Sequence, residues 1–294
     1  NMKKIDTLFL SGGGINCISI LGSLQYLLEN NIIEKQFKGM KNIVCVSGSS
    51  IIVLALLLGI SLEATIKLYM ETNYDNLVDY STFDINNLFE NYGIFDNEFV
   101  ENICRLTLKN KDYSEDLTLK GLYDITNVNC VFKTVNISKN DIVYLSYKKY
   151  PDLKIIDAIK MTTCIPIIFK PIVYNGDNYV DGGLSGNFPI EYNRKLKSKN
   201  YLGININVIG NGEIKTLLDY IYHIYISPWS PYDNSNSKNK NVINIIVNDV
   251  GIIFTNQNDK KKENIKNGYN ATIKYFNDYK CDHSKLSENE GQTN

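Results

Sequence analysis

A serine lies where the sequence predicts a sharp turn from a strand into a helix. The apolar residues 43–46 predict a buried strand, and Gly48, Ser49 and Ser50 follow it. A serine at such a turn, called a nucleophile elbow, is exposed, and the positive end of the following helix stabilises its alkoxide. Ser47, Ser49 and Ser50 could equally cap that helix. On this motif alone, a nucleophile at Ser50 and a simple helix cap are equally good interpretations.

An acidic residue further along the chain could supply the base that a serine nucleophile needs. Asp181 opens an Asp-Gly-Gly segment with Gly182 and Gly183, although the same residues would also suit an ordinary hairpin turn. The chain has two histidines, and neither follows a strand that would belong to the site. His223 lies in a tyrosine-rich stretch that predicts a helix, and His283 lies in a polar tail. A carboxylate acting directly on the serine is therefore the economical prediction.

Three consecutive glycines, Gly12, Gly13 and Gly14, follow the first predicted strand at residues 6–10. Glycines leave backbone N–H groups unobstructed, and a helix behind them adds the positive end of its dipole. Such a turn can bind a phosphate or form an oxyanion hole. The dinucleotide pattern fails because position 17 is Cys17, and the lysine of a phosphate-binding loop is absent. An oxyanion hole is the better interpretation, and a plain tight turn is the alternative.

The pattern of predicted elements indicates a single α/β domain over residues 1–294, with a tail that is disordered from about residue 282. Strands alternate with helices, which predicts a three-layer α/β/α fold with a mostly parallel central sheet. In such sheets active sites form at the carboxyl ends of strands, where both glycine–serine motifs lie. Strands are predicted at 6–10, 43–46, 129–137, 141–147, 167–174, 178–180, 201–208 and 242–247, and helices at 18–28, 51–58, 61–70, 84–91, 96–108, 157–163 and 263–279.

Composition narrows the classes of protein that this chain can be. Of its 294 residues 44% are apolar and 21% are charged, and the net charge is −1, so nothing predicts nucleic-acid binding. The six cysteines form no closely spaced pairs, which predicts reduced thiols in a cytosolic setting, with no disulfides, metal or other cofactor. The longest apolar run, residues 51–60, is about half of the ~20 residues that a membrane-spanning helix needs. The lysines at 260–262 predict a solvated loop, and a contact with anionic lipid is the minority interpretation.

The motifs in their order resemble the patatin-like phospholipase family. The resemblance rests on SGGG, then GSS, then YVDGG, and it continues in the approach to Asp181, where Pro166 and Pro171 lie as in the family. NIKNGYNATIKYF near residue 264 is also similar, so the resemblance covers roughly residues 5–280. Each motif alone is weak, but the order and spacing together are specific.

The resemblance implies a lipid acyl hydrolase. It makes Ser50 the nucleophile, Asp181 the base, and the backbone N–H groups of the glycine turn, most of all Gly13 and Gly14, the oxyanion hole. The substrate would be a phospholipid or another acyl-ester lipid, cleaved through an acyl-enzyme. The protein would be cytoplasmic and would contact membranes peripherally, with aromatic residues of the 73–100 region lining an acyl channel or lid.

Three departures from the family pattern support an alternative. Asn16 stands where the family has Lys or Arg, Cys17 where it has Gly, and Ile52 where the elbow motif ends in Gly. A β-branched residue at the last of these positions would crowd the elbow. The alternative is a catalytically impaired homologue that binds lipid or a protein partner.

Overall fold

A computed structural model of the protein describes residues 4–72, 85–209, 214, 216–226, 239–248 and 258–290. The strands are β1 Thr7–Leu10, β2 Asn42–Val46, β3 Gly93–Phe95, β4 Asn129–Asn136, β5 Asp141–Ser146, β6 Ile167–Phe169, β7 Ile172–Tyr174, β8 Asp177–Asp181, β9 Tyr201–Ile209 and β10 Val242–Asn248. The helices are α1 Ile18–Glu29, α2 Ser49–Leu57, α3 Leu62–Glu71, α4 Ile85–Asn91, α5 Glu98–Lys109, α6 Leu119–Thr126, α7 Ile155–Thr163, α8 Asn193–Leu196, α9 Leu217–Ile226 and α10 Asn258–Glu290.

The predicted three-layer α/β fold is confirmed. The central sheet has the order β10-β9-β1-β2-β4-β8-β7, and β10, β9, β1, β2 and β4 are mutually parallel. Alternate residues of its strands bury opposite faces, as the two-residue period of a strand requires. Leu8 and Leu10 pack into the larger core, whereas Phe9 between them packs with Phe188 in a cluster on the other face.

Strand β4 brings the ends of two other strands together. β5 pairs with residues 131–136 along one edge of β4. On the opposite edge of β4, β2 pairs in parallel with residues 129–133, and β8 pairs in antiparallel orientation with residues 134–136. Strands β2 and β8 therefore share this edge. Val46 at the end of β2 pairs with Lys133, and Asp181 at the end of β8 pairs with Thr134, the next residue. The carboxyl ends of β2 and β8 therefore meet head to head.

Helices α1 and α10 cross at very close range behind the glycine turn. A Cβ placed on Gly22 would overlap the carbonyl of Ile265, and one on Gly268 would overlap the carbonyl of Ser19. The Ser23 hydroxyl donates a hydrogen bond to the Gly268 carbonyl at 3.0 Å. The glycine of the NIKNGYNATIKYF segment thus serves helix packing.

A second, smaller unit of structure lies beside the main sheet. β3 and β6 pair in parallel, and α4 and α9 pack on them over a buried cluster that includes Ile94, Ile168 and Phe169. The sequence pattern does not predict β3, since three residues are too few to show a period. It also predicts one strand over 167–174, whereas the chain forms two strands on either side of Pro171, because proline has no N–H to donate to a sheet.

The C-terminal helix differs from the prediction at both ends. α10 runs from Asn258 to Glu290, against a predicted helix over 263–279, and the disorder expected from about residue 282 stays a prediction. At its start, the lysine cluster lies in the helix, not in a loop. Lys261 is buried and donates to the carbonyls of Met70 at 3.3 Å and Thr72 at 3.1 Å, which caps the end of α3. The Asn- and Ser-rich stretch 227–241, whose composition predicts a polar loop, lies mostly outside the described residues.

Candidate active site

The turn between β2 and α2 is a strained elbow centred on Ser47. Its φ is +54°, a left-handed conformation that is uncommon for a residue other than glycine. The Ser47 amide donates to the Thr162 hydroxyl at 3.0 Å, and the Ser47 carbonyl accepts from the Ser50 amide at 2.9 Å. Because strain of this kind persists where surrounding structure enforces it, the turn holds the Ser47 side chain in a fixed direction.

Ser47, not Ser50, is hydrogen bonded to the predicted base. The Ser47 hydroxyl donates to Oδ2 of Asp181 at 2.6 Å. The Ser50 hydroxyl is fully buried and donates to the carbonyl of Ser47 at 2.6 Å. The structure therefore contradicts the predicted pairing of Ser50 with Asp181. The reason is geometric: Ser50 lies in the first turn of α2, and its side chain points back to the carbonyl three residues earlier.

The remaining elbow residues occupy structural positions. Gly48 lines the pocket beside Ser47, and the Ser49 hydroxyl both donates to the Val46 carbonyl at 2.8 Å and accepts from the Val46 amide at 3.2 Å. Ile52 is fully buried within α2, outside the elbow, so it does not crowd the turn. The signal that could have identified Ser47 is its place directly after the strand.

Asp181 is a fully buried carboxylate held at both oxygens. Its Oδ1 accepts from the Gly183 amide at 2.7 Å, while Oδ2 accepts from Ser47. Burial raises the pKa of Asp181 from 3.8 to about 6. The hydrogen bonds from Ser47 and Gly183, the hydroxyl of Tyr225 and the charge of Lys133 lower that pKa and so limit the rise. A carboxyl with a pKa near neutral pH is suited to accept and return a proton.

A buried lysine supports the turn that follows Asp181. The Lys133 ammonium donates to the Gly186 carbonyl at 2.7 Å and forms an ion pair with Glu191 at 2.8 Å. The Tyr144 hydroxyl donates to the same Glu191 oxygen at 2.6 Å. Gly182 packs on the backbone of Lys133, where a Cβ would overlap the carbonyl. This group was not predicted from the sequence, although a lysine within the apolar segment NCVFKTVN was the available signal.

The glycine turn contacts the elbow. A Cβ on Gly48 would lie 2.8 Å from the carbonyl oxygen of Gly14. Gly13 and Gly14 have φ values of +153° and +54°, and their amides have no hydrogen-bond partner among the described residues. The Gly12 amide, in contrast, donates to the Asn187 carbonyl at 2.9 Å. Gly12 therefore does not have the free amide that the predicted oxyanion hole requires, because this loop uses it to fix the turn.

An apolar pocket opens beside Ser47. It has a volume of about 780 Å³, counted with its open mouth. Of the aromatic residues of the 73–100 region, Phe99 lines this pocket, Tyr92 and Phe95 do not, and Tyr74 and Tyr80 lie outside the described residues. Its lining comes from the elbow and glycine turn, α3, α5 and the segment before β6: Gly14, Ile15, Ser47, Gly48, Ile51, Leu68, Tyr69, Thr72, Phe99, Val100, Ile103, Thr163, Ile165 and Phe169.

Other kinds of site are not found in the described part of the chain. It contains no group of three or more His, Cys, Asp or Glu side chains that could hold a metal ion. No described helix combines the length and the apolar character that crossing a bilayer requires. His223 lies half-buried on α9 and makes no hydrogen bond to Ser47 or Asp181.

The fold and the site define a class of α/β protein in which a serine elbow meets a buried carboxylate at the carboxyl edge of a parallel sheet. The model of the patatin-like phospholipase family matches residues 8–193, and the chain belongs to this family. It is 29% identical to the probable lipid hydrolase 463L of invertebrate iridescent virus 6 over 245 residues, which cover 80% of this chain and 77% of that protein. It is also 28% identical to the uncharacterized protein R571 of Acanthamoeba polyphaga mimivirus, over 64% of this chain and 61% of that one.

Solved structures share the fold. VipD from Legionella pneumophila superposes with a TM-score of 0.67 at 16% identity, over 94% of this chain and 67% of VipD. The type III effector ExoU of Pseudomonas aeruginosa superposes with a TM-score of 0.53 at 14% identity, over 94% of this chain. The chain spans about half the length of ExoU, 53%. At these identities the similarity concerns the fold.

Proposed function

We propose that this protein is a carboxylic-ester hydrolase that removes fatty-acyl groups from phospholipids or related lipids, with Ser47 as nucleophile and Asp181 as base. The observation that carries the proposal is the hydrogen bond from the Ser47 hydroxyl to the buried Asp181 carboxylate, made from a strained elbow that opens into an apolar pocket. Membership of the patatin-like phospholipase family supports the same chemistry.

The reaction proceeds in two steps on this pair. Asp181 takes the proton of Ser47 as Oγ attacks the carbonyl carbon of the ester, and the carbonyl oxygen becomes negatively charged. The bond to the leaving alcohol then breaks, Asp181 returns the proton to that alcohol, and the acyl group remains on Ser47. Water attacks the acyl-enzyme with Asp181 again as base, which releases the fatty acid and restores Ser47.

Backbone amides of the glycine turn would stabilise the negative oxygen. The amides of Gly13 and Gly14 lie beside the elbow and have no partner within the part of the chain that the structure describes, and the amide after the nucleophile, that of Gly48, is the third candidate. One such donor typically contributes ~10²–10³ in rate. A positive-φ pair of glycines is suited to this role, since their amides can face the site with no side chain in between.

The pocket supports a fatty-acyl substrate. Its lining is almost wholly aliphatic and aromatic, and it begins at Ser47 itself. An acyl chain that fills it would place its ester carbonyl at the elbow. The name of the viral relative, probable lipid hydrolase, agrees with this substrate class.

Contact with a lipid surface would occur through α9. Leu217, Tyr220 and Ile224 lie on one face of this helix and are each more than half exposed. Its inner residue Ile221 packs on the cluster that contains Phe169, which lines the pocket. We infer peripheral membrane contact at this face.

Sedimentation with phosphatidylcholine vesicles tests this contact. The double variant Leu217→Asp/Ile224→Asp should reduce vesicle binding at least fivefold, and unchanged binding would exclude α9 as the membrane-contact surface.

The alternative, a catalytically impaired homologue, rested on three positions that now have structural explanations. Asn16 accepts a hydrogen bond from Asn264 at 3.2 Å, which ties the glycine turn to α10. Cys17 fills the space next to Gly48, and Ile52 belongs to the core of α2. None of the three removes a group that the proposed reaction uses.

A fluorophosphonate probe, which reacts with activated serines, distinguishes the two functions. We expect labelling of the wild type at the peptide containing Ser47, and hydrolysis of acyl esters that the probe inhibits. Ser47→Ala should abolish both, while Ser50→Ala, the matched control in the same turn, should keep labelling. Lack of labelling and of hydrolysis across a panel of phospholipid and acyl-glycerol substrates would reject the proposal, and labelling at Ser50 would reassign the nucleophile.

A further inference from the structure

Helix α9 contributes a hydroxyl to the site from a part of the chain beyond the family match at residues 8–193. A Cβ placed on Gly183 would overlap the Tyr225 hydroxyl, and the same Cβ would lie 3.1 Å from Oδ1 of Asp181. The hydroxyl therefore lies beside the Asp-Gly-Gly turn and close to the Asp181 carboxylate, and its proximity lowers the pKa of Asp181. Ser47 occupies the other oxygen, Oδ2.

The Tyr225 ring is fixed by packing. Together with Ile221, one turn earlier, it packs on the buried cluster that contains Cys164 and Phe169. α9 also contacts the 3₁₀ turn Gly182–Ser185 that follows Asp181. A ring held on one side by this cluster and on the other by the Asp-Gly-Gly turn keeps its hydroxyl in one place.

We propose that Tyr225 is a positioning residue: its hydroxyl donates to Asp181 and holds the carboxylate in the orientation in which Oδ2 accepts the proton of Ser47. This inference rests on the proposed function. In the proposed arrangement, the tyrosine from α9 and the serine from the elbow both donate to one buried carboxylate.

The other groups that face Asp181 cannot replace this hydroxyl. Lys133 on β4 acts on the carboxylate by its charge, and its ammonium is already bound to Glu191 and to backbone carbonyls. Cys17 and Cys164 are buried thiols whose pKa values burial raises, so they remain neutral. Without Tyr225, the side-chain oxygens of Asp181 would keep two donors among the described residues, Ser47 and Gly183.

The test removes only the hydroxyl of Tyr225 and keeps its ring. We expect Tyr225→Phe to lower kcat about 5- to 50-fold at pH 6 and to raise the pKa seen in the acid limb of kcat/KM by about one unit, because a hydrogen bond to the charged carboxylate is lost. Tyr92→Phe, which removes a hydroxyl from a residue that is 66% exposed and outside the pocket, should leave both unchanged. Equal thermal unfolding of the two variants separates this effect from a loss of folding.

A second variant and a second measurement distinguish failure of the Tyr225 role from failure of the proposed function. If Tyr225→Phe does not fold, Gly183→Ala should produce the same upward shift, since its methyl group displaces the hydroxyl. A ¹³C NMR titration of the Asp181 carboxyl measures the shift without turnover. An active wild type with no shift in either variant overturns the role of Tyr225 and leaves the proposed function in place. An inert wild type with the NMR shift present rejects the proposed function and retains the hydrogen bond.

Discussion

The hydroxyl oxygen of Ser47 lies 2.6 Å from Oδ2 of Asp181, although 133 residues separate the two in the chain. The register of one strand produces this contact. Val46 and Asp181 pair with Lys133 and Thr134, consecutive residues of β4, so the strand before the serine and the strand that ends in the aspartate stop at the same point.

The rate of ester hydrolysis should follow the ionisation of Asp181. Burial raises the pKa of this carboxyl to about 6, and only its charged form can accept the proton of Ser47. We expect kcat/KM to rise about tenfold per pH unit below pH 6 and to level off above it. The measurement is a pH–rate profile on a soluble short-chain ester. A flat profile between pH 5 and 8 would contradict the assignment of Asp181 as base.

The same carboxyl should destabilise the folded protein at neutral pH. Its folded pKa is raised, so the stabilising contribution of its protonated form is complete below pH 3.8 and is lost as the pH rises through about 6. A rise of this size corresponds to at most ~3 kcal/mol. We expect Asp181→Asn, which cannot ionise, to gain free energy of unfolding relative to the wild type between pH 4 and 7. Urea unfolding at several pH values checks this, and a constant difference would refute it.

Gly48 should be essential for the contact between the elbow and the glycine turn. The methyl group of Gly48→Ala would lie 2.8 Å from the backbone carbonyl of Gly14, so one of the two turns must move. Small displacements of catalytic groups cost ~10² in rate, and we expect a loss of kcat of this order. Gly176→Ala is the control, since its Cβ would meet no atom within 4 Å. That variant should lose some stability at its φ of +81° but keep its activity.

The length of the acyl chain should be limited by Val100 on α5. This residue is buried in the pocket wall, and a larger side chain there would shorten the available space. We expect Val100→Phe to reduce kcat/KM for a dodecanoyl ester at least ~10-fold more than for a butanoyl ester. Leu106→Phe on the same helix, which is 60% exposed and outside the pocket, should leave this ratio unchanged. An equal loss on both esters would indicate a general effect on folding.

Removing the buried ammonium of Lys133 should damage both stability and the site. Lys133→Met leaves the Glu191 charge without its partner and the Gly186 carbonyl without its donor, at a cost of ~3–5 kcal/mol. It should also raise the pKa of Asp181, since the charge of Lys133 lowers that pKa. Urea unfolding measures the first effect and the pH–rate profile the second. The double variant Lys133→Met/Glu191→Gln should recover part of the lost stability, whereas no recovery would contradict the ion pair.

Local patterns in the sequence were sufficient to identify the layered fold and the three functional segments. Apolar residues with a strand or helix period predicted β1, β2, α1 and α2 close to their observed bounds, because burial against a sheet imposes that period. The lack of a suitably placed histidine favoured a carboxylate as base, the family resemblance implied that it is Asp181, and the structure places Asp181 at the serine elbow. The resemblance to the patatin-like family, carried by the order of these motifs, was confirmed by the family match.

Tertiary structure decided which serine meets the aspartate and which other groups surround the pair. Ser47 and Ser50 differ by less than one helical turn, so the motif could not show which of them points toward β8 and which points back into the helix. The occupied amide of Gly12, the buried Lys133 and the hydroxyl of Tyr225 likewise depend on chain segments distant in sequence. Sequence by itself determines the elements, since these follow from short-range periodicity and turn chemistry. Strand register and helix packing determine the site, because they arise only when those elements bury one another.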